Sequence, residues 1–422
     1  MDCRLITGIL YLLLHVLLVI ADTCPPDRDQ EVLHDEGKLH KDLLCAYHSD
    51  YRPVKDHKTT ITVKIRFDLK YINFDALEET FTVHSWVAMM WKDEFLSWTP
   101  SNYGGIEELQ IESHEIWTPR MALFNADATL YQSDTIYTTC LVTQDGTVTC
   151  VPHIAHSGVC RSSLRSWPYD SQNCTLYFGS WMHTGEQVNY TFYKSQPVST
   201  TDYQDGPGWK LLNVANERLS GKYRENTTYP MLKYTFVMKR EAAGPAAIVV
   251  APAIVIVLLT LTSLLLDIKD NIRLMLACFS LFGHFTILSQ VAFEIPKHSS
   301  DTPIVLLFLR DSMIITLMAI LVTLFLMFLR RRVVPAPTWV ISITRLVSNG
   351  PGRYVMFTEF DPSDTSDKKG LAEVGTSTEA SDEDRSRITG DWMQFATLLN
   401  SFAFAISVLI YLILIFAYIP YD

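Results

Sequence analysis

The sequence predicts a β-sandwich domain followed by a four-helix transmembrane bundle, and three observations carry that expectation. Four late stretches, residues 246–266, 272–293, 304–329 and 393–418, are each long and apolar enough to cross about 30 Å of hydrocarbon as a helix. The roughly 220 residues ahead of them are dominated by short alternating or β-branched runs divided by turn signals. Six of the eight cysteines lie in that same region, the pattern of a domain built in an oxidising compartment.

At the start, Arg4 precedes an apolar run that closes on small residues before Asp22, which reads as a signal peptide over residues 1–21. The domain over 22–241 is then exported. Its first part, "EVLHDEGKLHKDLLCAY", has helical apolar spacing with a charged face. The strands follow in "TTITVKIRFDLKYINF", "ETFTVHSWVAMMW", "TIYTTCLV", "GTVTCVPHI", "CTLYFGSW" and "LKYTFVMK", with turns at Asp145-Gly146 and Gly206-Pro207-Gly208. Cys160 and Cys174 enclose thirteen residues as one pair. Cys140 and Cys150 flank the Asp145-Gly146 turn almost symmetrically, and facing hairpin positions reach disulfide range. Cys24 and Cys45 are left to pair by elimination, and Cys278, inside the second span, reads as a small packing residue. Sequons at Asn173, Asn189 and Asn226 mark glycosylation positions, all within the exported domain.

Arg330, Arg331 and Arg332 directly after the third span mark a cytoplasmic flank. Residues 242–332 thus hold the first three membrane helices. Residues 333–391 form a cytoplasmic loop, in which "PAPTWVISITRLV" has the character of a helix lying on the membrane surface. Residues 392–422 give the last span and a short outside tail. The net charge of −11 is explained in large part by residues 361–391, where nine acids face four bases in a Ser- and Thr-rich, flexible linker. No nucleophile, metal or phosphate-loop constellation stands out, so neither an enzyme, a cofactor, a metal site nor a nucleic-acid partner is expected.

In the second span, Arg273, Ala277, Ser280, His284, Ile287, Val291 and Glu294 recur at steps of four and three and share one helix face, the more polar one. Polar groups in lipid are costly and usually face a cavity or a partner.

The thirteen-residue disulfide loop with Trp167-Pro168-Tyr169-Asp170 near its middle, a β-rich domain before it and four spans after it resemble the Cys-loop family of pentameric ligand-gated ion channels. The nicotinic acetylcholine receptor branch is most similar, through "WPYDSQNCTLYFGSW", "VHSWVAMMWKDEFLSW" and "WTPRMALFNADA". The resemblance implies a ring pentamer made with four further subunits, identical or not, opened by a small cationic agonist such as acetylcholine and passing monovalent ions through a plasma membrane whose lipid surrounds it. The family's aromatic box falls on Trp86, Phe124, Trp181, Tyr223 and Tyr229, Trp86 coming from the neighbouring subunit; such rings attract quaternary ammonium groups. Trp91 matches a core tryptophan. "KYRENTTYP" lacks the adjacent cysteine pair of agonist-binding subunits, and Phe124 replaces a tyrosine.

The resemblance also makes the polar face of the second span a pore lining, repeated in rings, with Asp270 as an acidic ring at the cytoplasmic mouth. It assigns coupling to the disulfide loop, with Pro168 and Asp170 in it, to Arg240 with Asp75 as its acid, and to Pro296 in the loop after the second span. The function implied first is a cation-selective neurotransmitter-gated channel subunit. An accessory or orphan subunit of the same fold, or an anion-selective one, is the alternative, and a binding sandwich without channel function is the reading from another class.

Overall fold

The computed structural model describes residues 34–127, 137–193, 196–224, 227–296, 301–332, 334–348 and 379–418. The signal-peptide segment, Cys24, Asn226 and most of the acidic linker lie outside them. The chain divides into two compact units: Met1–Ser162 with Ser171–Arg240, and Ser163–Asp170 with Glu241–Asp422.

Among the described residues of the first unit, a helix α1 (Asp35–Leu44) precedes twelve strands. His34 caps α1, its Nδ1 accepting from the Gly37 N–H at 3.0 Å, and Asp35 and Glu36 set negative charge in the first turn, where it suits the helix dipole. The strands are β1 (Ile61–Asp75), β2 (Thr80–Lys92), β3 (Glu108–Glu112), β4 (Ala122–Leu123), β5 (Thr139–Thr143), β6 (Thr147–Cys150), β7 (His153–Val159), β8 (Ser171–Gly179), β9 (Val188–Phe192), β10 (Val198–Ser199), β11 (Trp209–Arg224) and β12 (Thr227–Arg240). An eight-stranded sheet runs β10-β1-β2-β6-β5-β3, with β7 also on β2 and β9 also on β1; a four-stranded sheet runs β11-β12-β8-β4.

Alternation decides which face of each strand is buried. On β2, Phe81, Val83, Ser85, Val87, Met89 and Trp91 point inward. On β1 the inward series Ile61, Val63, Ile65, Phe67 and Leu69 jumps to Ile72 and Phe74, because a bulge between Leu69 and Tyr71 inserts one residue. Lys70 and Tyr71 consequently lie off the core in succession. The two sheets meet through rings: Phe67 lies 4.6 Å from Tyr234 and 5.2 Å from Phe178 between centroids.

Cys140 and Cys150 are directly opposite in the β5–β6 register, 4.4 Å apart at Cα, and bonded. Cys160 and Cys174 are also bonded, and Cys45 is disulfide-bonded as well. In the turn between β5 and β6, Gly146 takes φ +83°, and an added Cβ would meet the Asp93 carbonyl oxygen. Asp93 is itself buried, accepts from the Tyr47 hydroxyl at 2.7 Å, and caps the Phe95 and Leu96 N–H groups.

The second unit contains α2 (Ala243–Leu265), α3 (Ile272–Glu294), α4 (Ile304–Arg330), α5 (Thr338–Ser348) and α6 (Glu379–Tyr418). Four are long and apolar enough to cross a membrane: α2, α3, α4 and the Gly390–Tyr418 part of α6. α6 departs from expectation. Helix already includes Glu379, well inside the segment read as a flexible linker, and the stretch "EASDEDRSRITGDWM" has no proline to interrupt it. α5 rests on α6 through Trp339, 5.8 Å from Phe395, while Trp392 Nε1 donates to the Val334 carbonyl at 2.8 Å. Also in this unit, Leu164, Trp167 and Asp170 of the disulfide loop are buried, and the Ile304 N–H donates to the Arg165 carbonyl at 3.0 Å.

His156 on β7 is buried between Phe67 and Phe178, and burial holds its imidazole down at about pKa 3 from an ordinary 6.5. The folded state therefore stays neutral where the unfolded chain takes up a proton, so stability is lost as pH falls from about 6.5 toward 3, by up to about 1.4 kcal/mol per pH unit. His156→Phe is expected to flatten this part of the pH dependence in denaturant unfolding. An unchanged slope would show that His156 is not its source.

Candidate functional site

The aromatic residues singled out from the sequence fall into two groups within one chain. Phe124 and Trp181 stand together, their ring centres 5.7 Å apart. Phe124 follows β4, whose pairing with β8 is continued by the Phe124 N–H to Tyr177 carbonyl bond at 2.8 Å and by the Asn125 side chain, which bonds Thr175 and Tyr177. An added Cβ at Gly179 would stand 2.7 Å from the Phe124 ring, so the ring's position requires glycine there. Met231 pairs with Gly179 on neighbouring β12; Trp181 lies two residues after Gly179 and Tyr229 two before Met231, at the same end of the pair. Trp181 is 70% exposed, an open ring rather than a core one. Tyr223 lies on β11 of the same hairpin.

The segment after Trp181 is latched to this hairpin. The Gly185 N–H donates to the Thr228 carbonyl at 2.7 Å, and Glu186 Oε1 accepts from the Thr228 N–H at 3.1 Å and its hydroxyl at 2.8 Å. Those bonds, Thr228 first, pull the Glu186 carboxyl down to about pKa 2 from 4.5. Any side chain at Gly185 would collide with Thr228 and Pro230. Neither Gly185 nor Glu186 is marked in the sequence, because only the β8–β12 pairing brings them to Thr228.

Trp86 stands apart, on the outward face of β2 in the other sheet. It is 40% exposed and helps line a cavity of about 280 Å³ with Arg66, Asp68, Lys70, Ser199 and Asp202. Arg66 pairs with Asp68 at 2.9 Å and Lys70 with Asp202 at 3.1 Å. His153 of β7 sits edge-on to Trp86 at 5.1 Å. Trp91 is in the core, 6.0 Å from Trp117.

Of the residues singled out for coupling, Asp75 Oδ1 accepts from the Leu77 and Glu78 N–H groups, and the Arg240 guanidinium lies over the Trp209 ring at 4.3 Å. The Trp167–Pro168 peptide is cis, and Pro296 follows the C-cap of α3. Asn173 is exposed on β8, and Asn189 on β9 accepts from Arg218 at 2.7 Å.

The pore-lining assignment is corrected by the structure. Arg273, Ala277, Ser280, His284, Ile287 and Val291 do share one face of α3, and it is the buried face. Its polar groups are satisfied by the other helices of the same chain. The Arg273 Nε–H and Nη2–H groups donate to Thr323 at 3.1 Å and to Asn400 at 2.6 Å, and the Asn400 amide donates to the Leu264 carbonyl at 2.8 Å. Ser280 meets Thr260 at 2.7 Å, Thr260 meets Thr316 at 2.9 Å, His284 Nε2 meets Ser312 at 2.8 Å, and Ser312 meets the Tyr411 hydroxyl at 3.0 Å. The physical reason is that hydrocarbon gives polar side chains no partner, and helix neighbours supply one. Glu294, expected on the same face, is exposed at the end of α3, and Asp270 precedes its start, accepting from the Ile272 N–H at 3.0 Å. The face of α3 turned away from the bundle carries Met275, Phe279, Phe282 and Phe293, each more than 60% exposed, with Thr286 and Ser289. Cys278 is exposed there too, rather than packed within the bundle.

Comparison with known proteins agrees with this architecture. Residues 36–242 match the family model of the neurotransmitter-gated ion-channel ligand binding domain. Three similar curated proteins are the neuronal acetylcholine receptor subunit beta-3 of Gallus gallus (29% identical over 308 residues, 71% of this chain and 66% of the relative), the subunit non-alpha-3 of Carassius auratus (29% over 326 residues, 76% and 68%) and the subunit alpha-5 of Bos taurus (29% over 304 residues, 71% and 63%). The chain thus spans about two thirds of the length of the relatives it matches.

Two outcomes follow from the bonds described. Glu186 keeps its latch above its ordinary pKa of 4.5, and the latch is lost as pH falls toward about 2, so the Thr228 amide protection factor should drop over that window and in Glu186→Ala at neutral pH. Protection that survives the substitution refutes the latch. In the bundle, Asn400→Leu leaves the buried Arg273 short of an acceptor and should lower stability by about 1.5–3 kcal/mol, against a smaller loss for Arg273→Met, which removes the charge itself. Thermal unfolding in detergent compares the two, and equal losses would deny the charge its part.

Proposed function

The chain belongs to the neurotransmitter-gated ion-channel family as a Cys-loop subunit of nicotinic type, and on that premise we propose that it works in a pentamer as a partner subunit of a cation channel opened by a small cationic agonist. The observation that carries this reading is the division of the aromatic residues. Phe124 and Trp181 stand at one edge of the small sheet, whereas Trp86 opens from the large sheet, a division that suits a ligand enclosed between two neighbouring chains. The exposed Trp181 face suits a quaternary ammonium group, which aromatic rings hold with about 0.5–2 kcal/mol each. Four membrane helices after a ligand-binding domain fit a plasma-membrane receptor subunit.

A heteromeric assembly is favoured over five identical copies by two observations. The hairpin sequence "KYRENTTYP" has no adjacent cysteine pair. The face of α3 that its own bundle leaves free is rich in Phe and Met rather than polar groups, and five copies of it would line a pore with bulky apolar rings that dewet easily. Permeation is then supplied largely by the other subunits, while this chain contributes an interface and the disulfide-loop coupling that includes Pro168, Asp170 and the Arg240 region. The monovalent cation preference of the assembly remains part of the proposal, with Asp270 as the acid nearest the start of α3.

Recording currents from cells expressing the chain alone and with a nicotinic subunit that carries the cysteine pair tests this reading. Silence alone, together with an altered acetylcholine response on co-expression that Trp181→Ala or Trp86→Ala shifts at least about tenfold, is the expected result. A full current from the chain alone, or a co-expressed response indifferent to both substitutions, would overturn it.

A further inference from the structure

The outward face of the large sheet brings together two histidines 69 positions apart in sequence. Trp86 on β2 pairs with His153 on β7, and His84 with Ala155, so His84 and His153 are diagonal neighbours on the same face. Their ring centres are 6.5 Å apart with planes inclined at 31°. Each ring is held from behind. The bulge in β1 turns Tyr71 outward to stack on His84 at 4.1 Å and 13°, and Trp86 meets His153 edge-on at 5.1 Å.

We propose that His84 and His153 together bind a first-row transition-metal ion of the Zn²⁺ type on this face. Two imidazoles that share one tetrahedral ion through bonds of about 2.0–2.1 Å have ring centres roughly 5 Å apart, so the two rings, 6.5 Å apart here, reach the bound geometry by turning toward each other through a little over about 1 Å. Imidazole nitrogen selects zinc, copper or nickel over magnesium and calcium, which prefer oxygen. Stacking on Tyr71 and contact with Trp86 limit the ring rotation that would otherwise be lost on binding. The charged groups on β1 nearby, Arg66, Asp68 and Lys70, belong to the cavity beside Trp86. Among the described residues no third histidine, cysteine or carboxylate joins the pair, so the remaining coordination positions fall to water or to a group on another molecule.

The binding site is independent of any channel activity, and the full-length chain in detergent suffices to test it. Zn²⁺ is titrated at neutral pH against a chromophoric chelator, with wild type, His84→Phe, His153→Gln and the exposed control His48→Gln compared. His84→Phe retains a ring to stack on Tyr71. The expected result is one Zn²⁺ per chain whose affinity falls at least about tenfold in each of the two site variants and stays unchanged in the control. No stoichiometric Zn²⁺ in the wild type, or binding indifferent to both substitutions, overturns the proposal.

Discussion

Hydrocarbon has no hydrogen bonds to offer, and that one condition determines how α3 is turned. A guanidinium, an imidazole and a serine hydroxyl on a single face of a membrane helix must find partners inside the protein, and Thr260, Ser312, Thr316, Thr323, Asn400 and Tyr411 supply them from three other helices. Once that face is committed inward, the opposite one is fixed as the free face. The helix therefore presents rings and thioether on its free side, where the residue spacing predicts a polar stripe.

In the first unit the corresponding constraint is phase. A strand buried on one side tolerates no slip of a single residue without exchanging its faces, yet β1 makes that exchange through the bulge at Leu69/Tyr71 and continues with Ile72 and Phe74 inward. The extra residue puts Lys70 beside Asp202 and Tyr71 against His84. Local irregularity in one strand thus furnishes the outer surface of the large sheet with both its charged cavity and its stacked imidazole, while the core beneath keeps its rings in register.

The sequence disclosed the sandwich and the spans because periodicity reports burial directly: β2 alternates, and four apolar runs have the length of a membrane. It disclosed the Cys140–Cys150 hairpin geometry because the turn lay between them. It misdirected the reading of α3, since amphipathic spacing identifies a polar face without saying whether water or another helix lies against it. The complementary signal was present in Thr260, Ser312, Asn400 and Tyr411, each a polar residue within an apolar run, but their matching needs the helix packing. Likewise His84 and His153, or Glu186 and Thr228, become neighbours only through strand register, which one sequence does not specify.

Cys278 gives the chain a reporter of its own. It is the one free cysteine among the described residues, exposed on α3 one turn after Met275 and one before Phe282. Thiol chemistry proceeds through the thiolate, which forms in water and not among acyl chains. The rate at which a membrane-impermeant reagent modifies this single native side chain therefore distinguishes an aqueous from a lipid surrounding for the free face of α3, without any residue having been replaced.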